Sequence, residues 1–320
     1  MMLRKRVWVV PLLAVCSLAL SSCNNRKSGK TVGFAQEGAE NDWRKAETAS
    51  VDSEAQKRGI NLRLTSANGD LQKQINDVRS FIAQRVSAII IAPKVEDGWE
   101  PVLREAQDAR IPVVLVDRGV SASPELYATL IASDFGDEGR RAADWLAAHS
   151  PKDQEVNIVE LEGSAGSAPA KDRKRGFDEQ IATHANMHII FSQDGDFTLE
   201  RGKQVMTNAL QSKGKDNIQV VYAHNDNMAL GAIQAIEEQG KKPGKDIKVI
   251  SIDGIHDAIQ AVLDGKINCV VECNPLLGPD AFDAVRQIWD GKPPPKRKVE
   301  QDALFDQSNV TSQVLSERKY

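Results

Sequence analysis

Ile111-Pro-Val-Val-Leu-Val-Asp-Arg118 sets the architecture of this chain. Residues 113–116 are an unbroken apolar run that stops at an acid, a base and Gly119. A run this short, bounded by turn signals, reads as a strand buried on both faces of a parallel sheet. In open parallel sheets, ligands sit in the crevice beyond the carboxyl ends of the strands. Asp117 and Arg118 stand at such an end. A carboxylate accepts hydrogen bonds and a guanidinium donates several in a fixed fork. Together they suit a ligand whose hydroxyls do both, such as a sugar. A salt bridge that closes the strand accounts for the same pair equally well.

The flanking segments repeat the theme. Upstream, strands are predicted over residues 31–34, 60–65 and 88–93. They alternate with helices over 43–58, 71–84 and 99–109. The first of these helices is expected to turn Ala46, Ala49 and Ala55 to one side. Downstream the pattern restarts, with strands at 127–132, 156–161, 187–191, 218–223, 247–252 and 267–272. Helices fall at 136–149, 172–183, 199–211, 228–239, 256–264 and 279–290, several closed by a glycine such as Gly240, Gly265 or Gly291. A last short strand is expected near 303–305. Strand–helix alternation at this pace means parallel βαβ units with right-handed crossovers. The fold class is α/β, with two similar Rossmann-like halves.

At 320 residues the chain exceeds one average domain. A hydrophobic content of 41% and a charged content of 27% are those of a soluble globular protein. A formal charge of −4 argues against a nucleic-acid partner. The basic run at 296–298, beside three prolines, reads as a solvated surface connector. Arg4-Lys-Arg6 followed by an apolar stretch over 7–20 is a targeting segment, too short and too interrupted by Pro11 to span a membrane. Leu20-Ser-Ser-Cys23 resembles a bacterial lipobox, which implies cleavage before Cys23 and a lipid thioether on its sulfur. Ordinary secretion with cleavage nearby is the alternative. Of the other cysteines, Cys16 lies in the targeting segment, and Cys269 and Cys273 lie in Asn268-Cys-Val-Val-Glu-Cys-Asn-Pro275. In extended backbone four residues span roughly 13 Å, beyond disulfide reach. Further ligands for a zinc site are missing, so buried free thiols are expected.

Most chemistry-bearing motifs fail on inspection. Glu162-Gly-Ser-Ala-Gly-Ser167 follows a strand as phosphate loops do, but lacks the Gly-Lys-Ser/Thr ending and places an acid where phosphate would sit. Ser164 and Ser167 are not in a nucleophile elbow. His149, His184, His188, His224 and His256 show no metal spacing, and neither a metal nor a cofactor is expected. The remaining strand-end groups share one character. Glu40, Asn41, Arg44, Asp117, Arg118, Asp134, Arg173, Asn225 and Asp253 are planar carboxylates, amides or guanidiniums, and Trp43 and Phe197 are flat apolar faces. Planar polar groups bond adjacent hydroxyls in pairs, and aromatic rings pack on the C–H face of a sugar. A glycosidase would also place acids at strand ends. Local roles compete: Asp134 and Asn225 are also helix caps, Asp253 a turn residue, Trp43 a core residue.

The sequence resembles a known family over nearly all of the mature chain. The matching stretches include Thr31-Val-Gly-Phe34, Trp43-Arg44 with Ala46-Glu-Thr48, Gly98-Trp-Glu-Pro-Val-Leu103, Asp117-Arg118 and Asp172-Arg-Lys174. They continue with Gly195-Asp-Phe-Thr198, Tyr222-Ala-His-Asn-Asp226, Ser251-Ile-Asp-Gly254 and Gly278-Pro279. Together they resemble the sugar-binding proteins of bacterial ABC importers in the ribose/galactose-binding, LacI-like class, above all its galactofuranose-binding members. The resemblance implies a type 1 periplasmic binding protein, with two Rossmann-like lobes on a three-segment hinge. The implied layout is a signal peptide over 1–22, a tether over 23–30, a first lobe over 31–133 plus 271–304, and a second over 134–270 plus 305–320. Glu40, Trp43, Arg44, Asp117 and Arg118 would face the ligand from the first lobe, and Arg173, Phe197, Asn225 and Asp253 from the second. The implied partners are a monosaccharide, the permease subunits and the membrane through the Cys23 anchor, with the protein a monomer. A lipid-anchored sugar sensor for a membrane kinase and a glycoside hydrolase are the alternatives. Ala39, Asp42, the 163–170 loop and Cys273 depart from the pattern, Cys273 standing where ribose-binding members carry a ligand Gln. These departures leave the sugar and its ring form open.

Overall fold

A computed structural model describes residues 30–39 and 41–320. In it the alternation becomes two six-stranded sheets. The first lobe is laid down by β1 (Thr31–Gln36), α1 (Asp42–Lys57), β2 (Asn61–Ser66), α2 (Leu71–Ala83), β3 (Ala88–Ile91), α3 (Glu100–Asp108), β4 (Val113–Val116) and β5 (Thr129–Ala132). The chain then crosses to α4 (Phe135–Ala148), β6 (Val156–Glu162), α5 (Ala168–Ile181), β7 (Met187–Asp194), α6 (Leu199–Lys213), β8 (Val220–Ala223), α7 (Asp226–Glu238), β9 (Lys248–Asp253), α8 (His256–Leu263) and β10 (Cys269–Glu272). It returns for α9 (Gly278–Trp289) and β11 (Arg297–Val299), and crosses again to β12 (Leu304–Asp306) and α10 (Ser312–Glu317). The strand orders are β11-β5-β4-β3-β1-β2 and β12-β10-β9-β8-β6-β7. All pairs are parallel except β10–β12.

Burial explains the central strands. Every residue of β3 and β4 is buried. Ile89, Ile91, Val113 and Leu115 pack against Phe81, Trp99 and Leu103 on one face of the sheet. Ile90, Val114 and Val116 pack against Val51, Phe282 and Val285 on the other. Both faces are covered by helices, so apolar runs, not alternation, mark these strands.

Four expectations change. Ala49 of α1 is exposed, and the helix buries Arg44, Glu47 and Glu54 beside Trp43, Val51 and Ala55. Arg44 pairs with Glu47 and with Asp117 of the same lobe, and Glu54 with Arg58, so the inner side of the helix is not purely apolar. The basic run is no free connector: Arg297–Val299 pairs in parallel with β5 and closes what would be an open sheet edge. Helix α5 begins at Ala168, not residue 172, with Pro169 in its first turn, where a missing N–H costs nothing. Val271, Glu272 and Leu304 bond in the second sheet. The second and third crossings therefore fall after Glu272 and before Leu304.

The lobes touch across the mouth of the cleft. Glu96 N–H donates to Gly166 O at 3.0 Å. Lys171 Nζ lies 3.1 Å from Glu96 Oε2, and Asn227 Nδ2 donates to Asp42 Oδ2 at 3.1 Å. This is a closed arrangement. Among the described residues no helix is long and apolar enough to cross a membrane.

Candidate functional site

The carboxyl ends of both sheets face one cavity of about 260 Å³. Its walls are Asn41, Trp43, Arg44, Asp117 and Arg118 from the first lobe and Pro169, Arg173, Phe197, Asn225 and Asp253 from the second, with Cys273 on the second crossing.

On the first-lobe wall, Arg44 opens α1 behind the N-cap Asn41, whose Oδ1 accepts from Arg44 N–H at 2.8 Å. The Arg44 guanidinium spans Glu47 Oε2 and Asp117 Oδ2, each at 2.6 Å. Arg118 Nη1 sits 3.0 Å from Glu37 Oε1 and donates to Lys94 O at 3.1 Å. Trp43 reaches across the cleft, its Nε1 donating to Cys273 O at 2.6 Å, and packs within the second lobe's core. Both guanidinium planes are thus fixed before any ligand arrives, which lowers the ordering cost of binding.

On the opposite wall, Arg173 Nε lies 2.7 Å from Glu138 Oε2, and Nη1 donates to His224 O at 2.6 Å. Its Nη2 lies 3.6 Å from Asp253 Oδ1, a charge contact longer than a hydrogen bond. Asn225 does both of its expected jobs. It lines the cavity and caps α7, with Oδ1 accepting from Met228 N–H at 3.0 Å and Nδ2 donating to Phe197 O at 3.1 Å. The Phe197 ring faces Arg118, whose guanidinium carbon is 5.5 Å from its centroid across the cleft.

Several lining residues carry unusual backbone. Asp117 (φ 59°), Phe197 (φ 58°) and Asp253 (φ 124°) lie at positive φ, where side chains other than glycine's are strained. The surroundings hold the Asp253 turn: the buried Asp226 carboxylate accepts from Gly254 N–H at 2.6 Å and Ile255 N–H at 2.8 Å. The glycine loop after β6 serves the same wall. A Cβ on Gly163 would lie 1.9 Å from the Phe197 ring, so only glycine lets that ring lie flat there. The loop that superficially resembles a phosphate cradle is a seat for an aromatic face.

Three guanidiniums, those of Arg44, Arg118 and Arg173, and two carboxyl groups, those of Asp117 and Asp253, line the cavity. Burial pushes the Glu138 carboxyl up to about 7, although Arg173 opposes it. Burial raises Asp253 well above the usual carboxylate range, again against the pull of Arg173. Burial disfavours the Arg173 charge, but Glu138 and Asp253 beside it more than offset this and raise its pKa.

Most of the residues singled out in the sequence converge here. Asp134 does not: it is exposed and caps α4, accepting from Asp137 N–H at 3.1 Å, which corrects the expectation that it faces the ligand. Glu40 and Cys23 lie outside the described residues. Cys269 and Cys273 are free and buried. No cluster suited to a metal occurs among the described residues. Sequence reasoning missed Glu37, Glu47, Glu138, Pro169 and Asp226. Only Glu47 left a local trace, as the acid three residues after Arg44 on one helix face.

Comparison with known proteins follows this geometry. Residues 32–293 match the family described as periplasmic binding protein domain. The chain is 45% identical to the galactofuranose-binding protein YtfQ of Escherichia coli (strain K12), over 94% of each chain. It superposes with TM-score 0.87 on the binding component of the arabinose ABC transporter from Shewanella sp. ANA-3 bound to α- and β-L-arabinofuranose. That likeness is at 44% identity and covers 91% of this chain and 96% of the other. A Mycobacterium smegmatis protein in complex with β-D-fucofuranose gives TM-score 0.86 at 48% identity, over 91% and 96% of the two chains.

Proposed function

Because the chain belongs to the periplasmic binding protein domain family, we propose that it is the solute-binding component of a bacterial carbohydrate ABC importer. It closes its two lobes on one furanose-type monosaccharide, galactofuranose or a similar hexose or pentose, and delivers it to a membrane permease. The observation that carries this reading is the cavity walled from both lobes by planar hydrogen-bonding groups and by the Trp43 and Phe197 rings. Relatives named for galactofuranose, arabinofuranose and fucofuranose binding support the ring form.

The mechanism is a hinge equilibrium. Arg44, Asp117 and Arg118 belong to one lobe, and Arg173, Asn225 and Asp253 to the other. Only the closed form offers all of them at once, so sugar binds it more tightly and shifts the population toward closure. The guanidiniums donate to ring and exocyclic oxygens, and Asp117 and Asp253 accept from hydroxyls. Hydrogen bonds involving charged groups contribute roughly 1.5–3 kcal/mol each. The sugar leaves unchanged, and incubation with aryl glycosides is expected to yield no product. Cys23 carries the lipid anchor, and the protein acts as a monomer in the periplasm.

Calorimetric titration against free pentoses and hexoses tests the reading. Arg118→Ala and Asp253→Ala are expected to abolish binding while circular dichroism stays native. Unchanged affinity in both variants would reject the site.

A further inference from the structure

Cys273 sits where the cavity meets the hinge. It lines the cavity and is 2% exposed. Its backbone is held from both lobes: N–H donates to Asp253 O at 3.0 Å, and the carbonyl accepts from Trp43 Nε1 at 2.6 Å. The thiol is committed as well. Sγ donates to Ser133 Oγ on the first crossing at 3.6 Å. On the third crossing, Asp302 Oδ1 accepts from Asn274 N–H of the second at 3.2 Å. The three crossings are thereby tied together beside the sulfur. Burial and the Glu138 carboxylate keep the group a thiol, not a thiolate.

A thiol has one weak donor. With that donor directed to Ser133, the cavity meets a polarizable sulfur that donates nothing. We infer that Cys273 is a specificity-determining residue of the sugar site: its sulfur is an apolar wall that accepts a C–H edge of the ligand and disfavours a hydroxyl there. This rests on the sugar-binding reading above. A hydroxyl brought against the sulfur would lose water and gain only a weak acceptor. The discrimination expected from one such unpaired group is about tenfold to a hundredfold in affinity.

The test is calorimetric titration of the unsubstituted protein, Cys273→Ser and Cys273→Ala with D-galactose and its 2-, 3-, 5- and 6-deoxy analogues. The unsubstituted protein should bind one analogue at least as tightly as galactose. In Cys273→Ser, whose hydroxyl both donates and accepts, that preference should move toward galactose by about tenfold or more. In Cys273→Ala it should stay within about threefold. If every ratio is unchanged in Cys273→Ser, the inference fails although sugar binding stands. If neither this series nor any free pentose or hexose binds, the sugar-binding reading fails and takes the inference with it; if another sugar binds and no member of this series does, the inference alone fails. A second measurement needs no substitution. N-ethylmaleimide labelling, mapped by peptide mass, should slow about tenfold at Cys273 under saturating galactose and stay unchanged at Cys269. Equal labelling of Cys273 with and without sugar would overturn its placement against the ligand.

Discussion

Burial raises the Glu138 carboxyl to about 7 while Arg173 pulls it back down, and this has a consequence for stability. In the unfolded chain a glutamate titrates near 4.3. Between these two values the folded protein keeps a proton that the unfolded chain has lost. Stability from this group therefore falls as pH rises through that window, and the cost is complete above about 7. Glu138→Gln keeps a hydrogen-bonding partner for Arg173 and removes the titration. The thermal stability of the variant relative to the unsubstituted protein should rise between pH 5 and pH 8, by an amount corresponding to roughly 1–3 kcal/mol. A flat difference across that range would show that Glu138 is already ionised at pH 5. Asp226 was not legible from its neighbours in sequence, because its partners Gly254 and Ile255 lie on another strand end. Glu138 was hidden in the same way, since 35 positions separate it from Arg173.

Loops inherit their roles from the elements that they join. The Gly163–Ser167 segment leaves β6 and enters α5, and from sequence its glycines read equally well as a phosphate loop or a turn. The packing resolves the choice, because Phe197, delivered by the loop after β7, occupies the space above Gly163. Gly163→Ala should push that ring aside and weaken sugar binding by about tenfold or more, with a drop of a few degrees in melting temperature, as overpacking typically costs about 1–3 kcal/mol. The double variant Gly163→Ala/Phe197→Ala should bind no worse than Phe197→Ala alone, because both changes act through one ring. Additive losses would show that Gly163 acts by another route. The β11 strand makes a related point. Charge and prolines hide Arg297–Val299 from periodicity, and the strand exists because β5 would otherwise present unpaired backbone along a sheet edge.

The whole molecule is arrested with its lobes together, and the contacts at the mouth of the cleft differ from those inside it. Lys171 and Glu96 pair at the surface, where water screens them. Lys171→Ala should therefore change sugar affinity by less than about threefold, in contrast to the loss expected for Arg118→Ala. A larger effect would place the latch at the rim of the cleft. Small-angle scattering should show the radius of gyration falling when sugar is added to the free protein, and an unchanged value would mean that the lobes do not part. Residue order along the chain was sufficient for the α/β class, every strand but β11 and most cavity-lining groups. Parallel sheets demand apolar runs with polar ends, and those ends are local in sequence. It was insufficient for the charge partners of Arg118 and Arg173, the Phe197 seat, the sheet edge at β11 and the exposed cap at Asp134. Each of these depends on which strand ends and crossings meet in space, and local periodicity carries no record of contacts between segments tens of residues apart.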